Sequence, residues 1–156
     1  MSAVAELATL AKKRAVDGMT YAGEVSPREA YEAILFDSRA LLVDVRTDAE
    51  WKFSGTPDLA TANKRPLLLS WRFYPDFAPN LQFVSSLVSQ VTDKDTPVFF
   101  LCKTGGRSLE AANALAQQGY TYCFNITGGF EGNANERGQR GKVNGWKAEE
   151  LPWHQA

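Results

Sequence analysis

Phe99-Phe100-Leu101-Cys102-Lys103-Thr104-Gly105-Gly106-Arg107-Ser108 is the stretch on which the reading of this chain turns. Pro97 to Leu101 is an apolar run of strand length, and it delivers Cys102 to its carboxyl end. Open α/β sheets place their sites at that end of their strands. A short loop with two glycines follows, and then a helix read over Ser108 to Gln118, closed by Gly119 at its C′ position. Gly105 and Gly106 free the backbone to curl with its N–H groups turned inward. The helix N-terminus adds its positive end, Arg107 supplies a guanidinium able to fork onto an oxyanion, and Lys103 brings a second positive charge. This combination favours a thiolate on Cys102 over the thiol.

The elements on either side of that loop alternate. Val4, Leu7, Leu10 and Ala11 recur at helical spacing until Gly18 and Gly23 interrupt them, so residues 1–24 are read as an N-terminal helical extension and residues 25–156 as one domain. Ser26-Pro27-Arg28-Glu29 has the form of a capping box and opens a helix to about Ser38 that buries Ala30, Ile34 and Leu35. Leu41 to Val45 suits a strand buried on both faces. Thr47 to Trp51 is read as the start of a helical turn, and Leu67 to Trp71 as a second strand. Asn80 is placed as the cap of a helix burying Phe83, Val84, Leu87 and Val88, and Tyr120 to Ile126 as a further strand. Gly128-Gly129 makes a turn, residues 131–145 a long polar loop, and the tail from Trp146 to Trp153 packs back on the core. Such alternation predicts an α/β fold, a central parallel sheet with helices on both faces.

Composition narrows the function classes. With 17 basic and 18 acidic side chains the formal net charge is -1, which creates no field for nucleic acid or an anionic membrane, and neither is expected as a partner. Two cysteines, Cys102 and Cys123, and the single His154 are too few for a disulfide framework or a zinc cluster, so no metal and no other cofactor is expected. No long apolar stretch follows Lys12, Lys13 and Arg14, and the chain is expected in the cytoplasm, where thiols stay reduced. Cys123, between Tyr122 and Phe124, is read as a packing residue.

Cys102 through Ser108 resembles the active-site loop of the rhodanese family, in which a cysteine opens a glycine-containing loop ended by Arg and then Ser or Thr. Leu42-Val43-Asp44-Val45-Arg46 with Glu50-Trp51 is similar to the family's early strand and Asp-x-Arg signature. Asn125-Ile126-Thr127-Gly128-Gly129-Phe130 is similar to its double-glycine turn, and Gly145-Trp146 through Leu151-Pro152 to a frequent closing segment. The chain departs at Phe53-Ser54-Gly55-Thr56-Pro57, where many members carry Gly-His-Ile, and residues 131–145 look inserted. Both departures bear on substrate choice.

The resemblance implies a rhodanese-like fold and a thiosulfate sulfurtransferase-like enzyme. Cys102 would be the nucleophile and carry sulfur as a persulfide, taken from a small donor such as thiosulfate and passed to a thiol, cyanide or an acceptor protein. Lys103, Thr104, Gly105, Gly106, Arg107 and Ser108 would bind substrate, the amides holding sulfur and Arg107 the donor's oxyanion. Lys103 keeps two readings of equal weight, substrate contact or solvated loop residue. Ser108 either bonds the sulfur or caps the helix, with the cap favoured. Asp44 and Arg46 read as a structural ion pair near the site rather than as catalysts. The tryptophans read as packing, with Trp71 and Phe73 placed to wall the pocket.

Four residues separate Cys102 from Arg107. Cysteine phosphatases carry one more, and a wider ring is what a tetrahedral phosphate needs, so phosphatase or arsenate chemistry ranks below sulfur transfer. A noncatalytic or redox-sensing module is the remaining alternative.

Overall fold

The computed structural model describes residues 2–155. Five strands form one sheet: β1 (Gly23–Val25), β2 (Leu41–Asp44), β4 (Leu67–Leu68), β7 (Val98–Leu101) and β8 (Cys123–Ile126). Their order is β1-β8-β7-β2-β4 and every pairing is parallel. Two small antiparallel pairs flank it, β3 (Thr56–Pro57) with β9 (Trp153–His154), and β5 (Arg72–Phe73) with β6 (Ala78–Pro79).

Side chains alternate across the central strands, and each face has its own core. Leu42, Phe99, Leu101, Phe124 and Ile126 point to one face, where they meet α1 (Ala3–Lys13), α2 (Pro27–Phe36) and the tail residues Trp146 and Leu151. Val43, Val45, Phe100, Cys102 and Cys123 point to the other, against α4 (Phe83–Gln90) and α5 (Gly106–Ala116). Both β7 and β8 are buried at every position; β7 reads in sequence as a continuous apolar run, and β8 as one broken only by Asn125.

Local rules explain most element ends. Ser26 Oγ accepts from Glu29 N while the Glu29 carboxylate accepts from Ser26 N, closing the capping box at the start of α2. Lys64 Nζ covers the other end of that helix by donating to the carbonyls of Ile34, Asp37 and Ala40 at 2.7–2.9 Å. Thr47 and Glu50 form a second capping box, so the expected turn there is a full helix, α3 (Asp48–Ser54).

Several expectations are corrected. Leu10 is 46% exposed although its spacing puts it on the apolar stripe; Val4 and Ala11 carry the burial of α1. Gly23 does not end a pattern but begins the edge strand β1, which is three residues long with Glu24 at its centre and gives no apolar signal. A Cβ at Gly23 would collide with the Ala11 carbonyl oxygen, so glycine is what lets α1 pack this closely. The strand read over Leu67 to Trp71 shrinks to two residues, yet the chain keeps following β2, with Leu69 N donating to Asp44 O and Trp71 N to Val45 O. Asn80 is not the cap of α4. Gln82 occupies that position, and Asn80 Oδ1 accepts from Gln82 N just ahead of it. Helix α5 starts at Gly106, two residues ahead of Ser108, and Gly119 sits two residues past its cap, Gln117. Within the described residues, no helix is long and apolar enough to cross a membrane.

Candidate active site

Cys102 directly follows β7, on the sheet face covered by α5, and α5 begins only four residues later. What shapes the loop between them is a second segment, the Gly128–Gly132 turn that follows β8. Phe130 N donates to the Cys102 carbonyl at 2.8 Å, and Glu131 N and Gly132 N donate to the Lys103 carbonyl at 3.0 and 3.1 Å. The Gly105 carbonyl accepts from Leu109 N and from Asn125 Nδ2. A trans peptide directs its N–H opposite to its C=O. Anchoring these three carbonyls on the protein body therefore turns the N–H groups of Lys103, Thr104 and Gly106 towards the open side of the loop. None of the three has a protein acceptor among the described residues. Gly105 N donates to Cys102 Sγ at 3.1 Å. Gly129 makes the close approach possible. Its φ is +64°, and a Cβ there would lie 2.5 Å from the Cys102 carbonyl oxygen.

Cys102 itself is 1% exposed, on the floor of this cradle. Two polar groups lie 3.1 Å from its sulfur: Gly105 N, which donates to it, and the Ser108 hydroxyl. Ser108 is buried inside the first turn of α5, so the favoured reading as a helix cap is corrected: it bonds the sulfur, and also Asn125 Oδ1 at 2.6 Å. The cap position belongs to Gly105, whose φ of +117° suits glycine.

Arg107 is likewise committed differently from the sequence reading. Its guanidinium is forked onto Glu50, Nη1 to Oε1 at 2.8 Å and Nη2 to Oε2 at 2.9 Å, instead of standing open for a donor oxyanion. Burial alone would raise the Glu50 carboxyl, but the hydrogen bonds and charge of Arg107, with help from Thr47, outweigh it and hold that carboxyl below its ordinary value. Burial pulls Arg107 down and the same carboxylate more than restores it. Glu50 thus caps α3 and latches α3 to the start of α5. Lys103, next to Cys102 in the chain, has no carboxylate within ion-pair distance among the described residues.

Asp44 and Arg46 lie at the end of β2, both fully buried. Arg46 Nε and Nη2 bond the Asp44 carboxylate at 2.7–3.2 Å, Nη2 also reaches the Gly55 carbonyl at 2.8 Å, and the guanidinium covers the Phe130 ring at 4.3 Å. They join the α3 side of the molecule to the turn that anchors Cys102, and neither makes a hydrogen bond to the sulfur. Of the aromatic residues expected to wall the site, Trp71 packs edge-on against Phe83 and donates to Glu110, while Phe73 is about half exposed. The ring beside the loop is that of Phe77, 5.5 Å from the Arg107 guanidinium. Among the described residues, no group of three or more His, Cys, Asp or Glu is placed to hold a metal ion.

Sequence reasoning missed three residues: Glu50 as the partner of Arg107, and Asn125 and Glu24 behind Ser108. Glu50 had a local signal, the Thr47-x-x-Glu50 box directly after Asp44-x-Arg46. Asn125 had a weaker one, a lone amide in a strand otherwise made of Cys123, Phe124 and Ile126. Glu24 had none.

The family model described as the STR4 middle domain matches residues 22–156. The chain is 30% identical over 132 residues to Protein THYLAKOID RHODANESE-LIKE, chloroplastic, of Oryza sativa, covering 84% of this chain and 25% of that one. This chain is a rhodanese-like domain. Uncharacterized protein RP600 of Rickettsia prowazekii resembles this rhodanese-like chain over nearly its whole length, 42% identical over 125 residues, 80% of this chain and 91% of that one. The crystal structure of Rv0390 from M. tuberculosis superposes with a TM-score of 0.80 at 39% identity, over 87% of this chain and 99% of that one. The names of these last two relatives of the rhodanese-like chain give no reaction.

Proposed function

We propose that this rhodanese-like domain is a sulfurtransferase that carries sulfane sulfur as a persulfide on Cys102. The observation that carries the reading is the anchoring of the Cys102, Lys103 and Gly105 carbonyls, which leaves the N–H groups of Lys103, Thr104 and Gly106 unspent over one sulfur. Preorganised donors aimed at a developing anion are the strongest device a protein has for stabilising it. The Cys102 thiolate attacks the outer sulfur of thiosulfate; the S–S bond of the donor breaks, sulfite leaves with its electron pair, and Cys102-S-S⁻ remains. A thiolate or cyanide then attacks the outer sulfur, and the Cys102 thiolate departs in its turn. With Arg107 held by Glu50, the donor's oxyanion falls to Lys103 and the open amides. The four-residue spacing to Arg107 supports a cradle for one sulfur atom rather than a phosphoryl group.

The test is intact mass after incubation with thiosulfate, followed by cyanide. The expected result is one added sulfur on Cys102, released as thiocyanate and absent in Cys102→Ser. Phosphate release from an aryl ester with no sulfur loading would reject the proposal in favour of a phosphatase, and neither activity would leave a binding or sensing module.

A further inference from the structure

Ser108 stands between two acceptors with one hydrogen to give. Its Oγ lies 3.1 Å from Cys102 Sγ and 2.6 Å from Asn125 Oδ1, and a hydroxyl carries a single donor. Asn125 is 3% exposed, on β8 opposite Phe100 of β7. Which end of its amide faces Ser108 is fixed from behind. Nδ2 lies 3.0 and 3.1 Å from the two oxygens of Glu24 and 3.0 Å from the Gly105 carbonyl, groups that only accept. The carbonyl end is therefore turned to Ser108. Glu24 is itself held, by the Tyr21 hydroxyl at 2.6 Å and the Thr127 hydroxyl at 3.0 Å. Burial and the bond to Glu24 push the Tyr21 phenol well up, so it stays a donor.

We propose that Asn125, locked in place by Glu24, is a positioning residue that competes with the Cys102 sulfur for the Ser108 hydroxyl hydrogen and so biases the site towards states in which Sγ carries no charge. In the thiol state the chain of donors is unbroken: Cys102 S–H to Ser108 Oγ, Ser108 O–H to Asn125 Oδ1. In the thiolate state Sγ draws the Ser108 hydrogen, and giving it leaves the buried Asn125 oxygen without a donor, which costs the full desolvation of that group. In the persulfide the charge has moved to the outer sulfur, beneath the open amides. Sγ is then a neutral divalent sulfur and the Ser108 hydrogen stays with Asn125. The network thus favours the loaded carrier over the bare thiolate. The persulfide half of this inference rests on the sulfur-transfer reading; the thiol half stands on geometry.

The test is a pH titration of the Cys102 thiolate by its ultraviolet absorbance, in a Cys123→Ala background that removes the second thiol. Charged and titratable groups around the pair are Lys103 from the loop, Arg107 from α5, Glu50 from α3, Asp44 and Arg46 at the end of β2, Glu131 from the turn, and Glu24 and Tyr21 behind Asn125. They are the same in every variant compared. Asn125→Ala should lower the midpoint by about one pH unit, the worth of one hydrogen bond freed for a charged sulfur. Asn125→Val, a strand former with no polar atom, should give the same drop and serves where the alanine variant folds poorly. Ser108→Ala should move the midpoint little while Asn125 is in place. Added to Asn125→Ala, the same substitution should raise it by about one unit, because only there is the Ser108 hydrogen available to the sulfur. Equal midpoints with and without Asn125, or a drop that survives Ser108→Ala undiminished, would overturn the inference. Failure of thiosulfate to load the unsubstituted chain while these shifts are seen would sink the sulfurtransferase reading alone.

Discussion

Cys102 and Cys123 lie on neighbouring strands, on the same face of the sheet, and are equally hidden: 1% and 0% exposed. Exposure does not distinguish them; polar company does. Cys123 opens β8 opposite Val98, and the only hydrogen-bond contact of its sulfur among the described residues is a 3.9 Å approach to the Tyr120 carbonyl, an acceptor. Burial without donors pushes its thiol up to about 12, so it stays protonated and inert. Cys102 comes one residue after the last strand position, where the ladder has ended and backbone N–H groups are free to turn onto a ligand. Its sulfur has the Gly105 amide and the Ser108 hydroxyl at 3.1 Å, and three open amides are aimed above it. The difference in polar surroundings follows from where a strand stops.

The comparison breaks outright if the wrong cysteine takes sulfur. Cys102→Ser should abolish the added sulfur expected in the mass measurement, and a sulfur found on Cys123 would refute the contrast. The next largest effect is expected from Gly129→Ala, which touches neither thiol. A side chain 2.5 Å from the Cys102 carbonyl, at a φ of +64°, must displace the turn or the loop. Sulfur loading should fall at least ~10-fold and stability by about 1–3 kcal/mol, with Cys123 still unreactive towards alkylation. Glu50→Gln sharpens the contrast on the electrostatic side. Because the Glu50 carboxyl is held below its ordinary value, its ion pair stabilises the fold above the ordinary carboxylate range, ~4.3, and that contribution is lost as pH falls below it. The variant should lose about 1–2 kcal/mol at neutral pH for a pair this buried. The gap to the unsubstituted protein should close in acid-pH denaturant titrations. Cys123→Ala should do least, about 1 kcal/mol for a small cavity, with loading rates unchanged.

How much could be seen in advance follows from how local each feature is. The two capping boxes involve residues three apart, and the cysteine loop is one contiguous stretch whose glycines, Arg107 and helix start declare themselves together. The parallel sheet was legible because β2, β7 and β8 are largely buried on both faces and so mostly apolar. The remainder depends on register between distant segments. Arg107 was given to a substrate because nothing in its own loop offers it a carboxylate; Glu50 arrives from α3. Ser108 was given to the helix end because the start of α5 was placed two residues late, which moved a residue inside the first turn onto its cap. Asn125 meets Ser108 only because β8 lies beside β7, and Glu24 meets Asn125 only because a three-residue strand pairs with β8 at Glu24↔Asn125.

The turn that anchors the Cys102 and Lys103 carbonyls comes from residues made well after the loop itself. During synthesis the cysteine therefore emerges as an ordinary thiol, with its amides unaligned, until Gly129 and Phe130 have left the ribosome and closed over it. If the chain carries sulfur as proposed, that competence arrives only with this later stretch of chain.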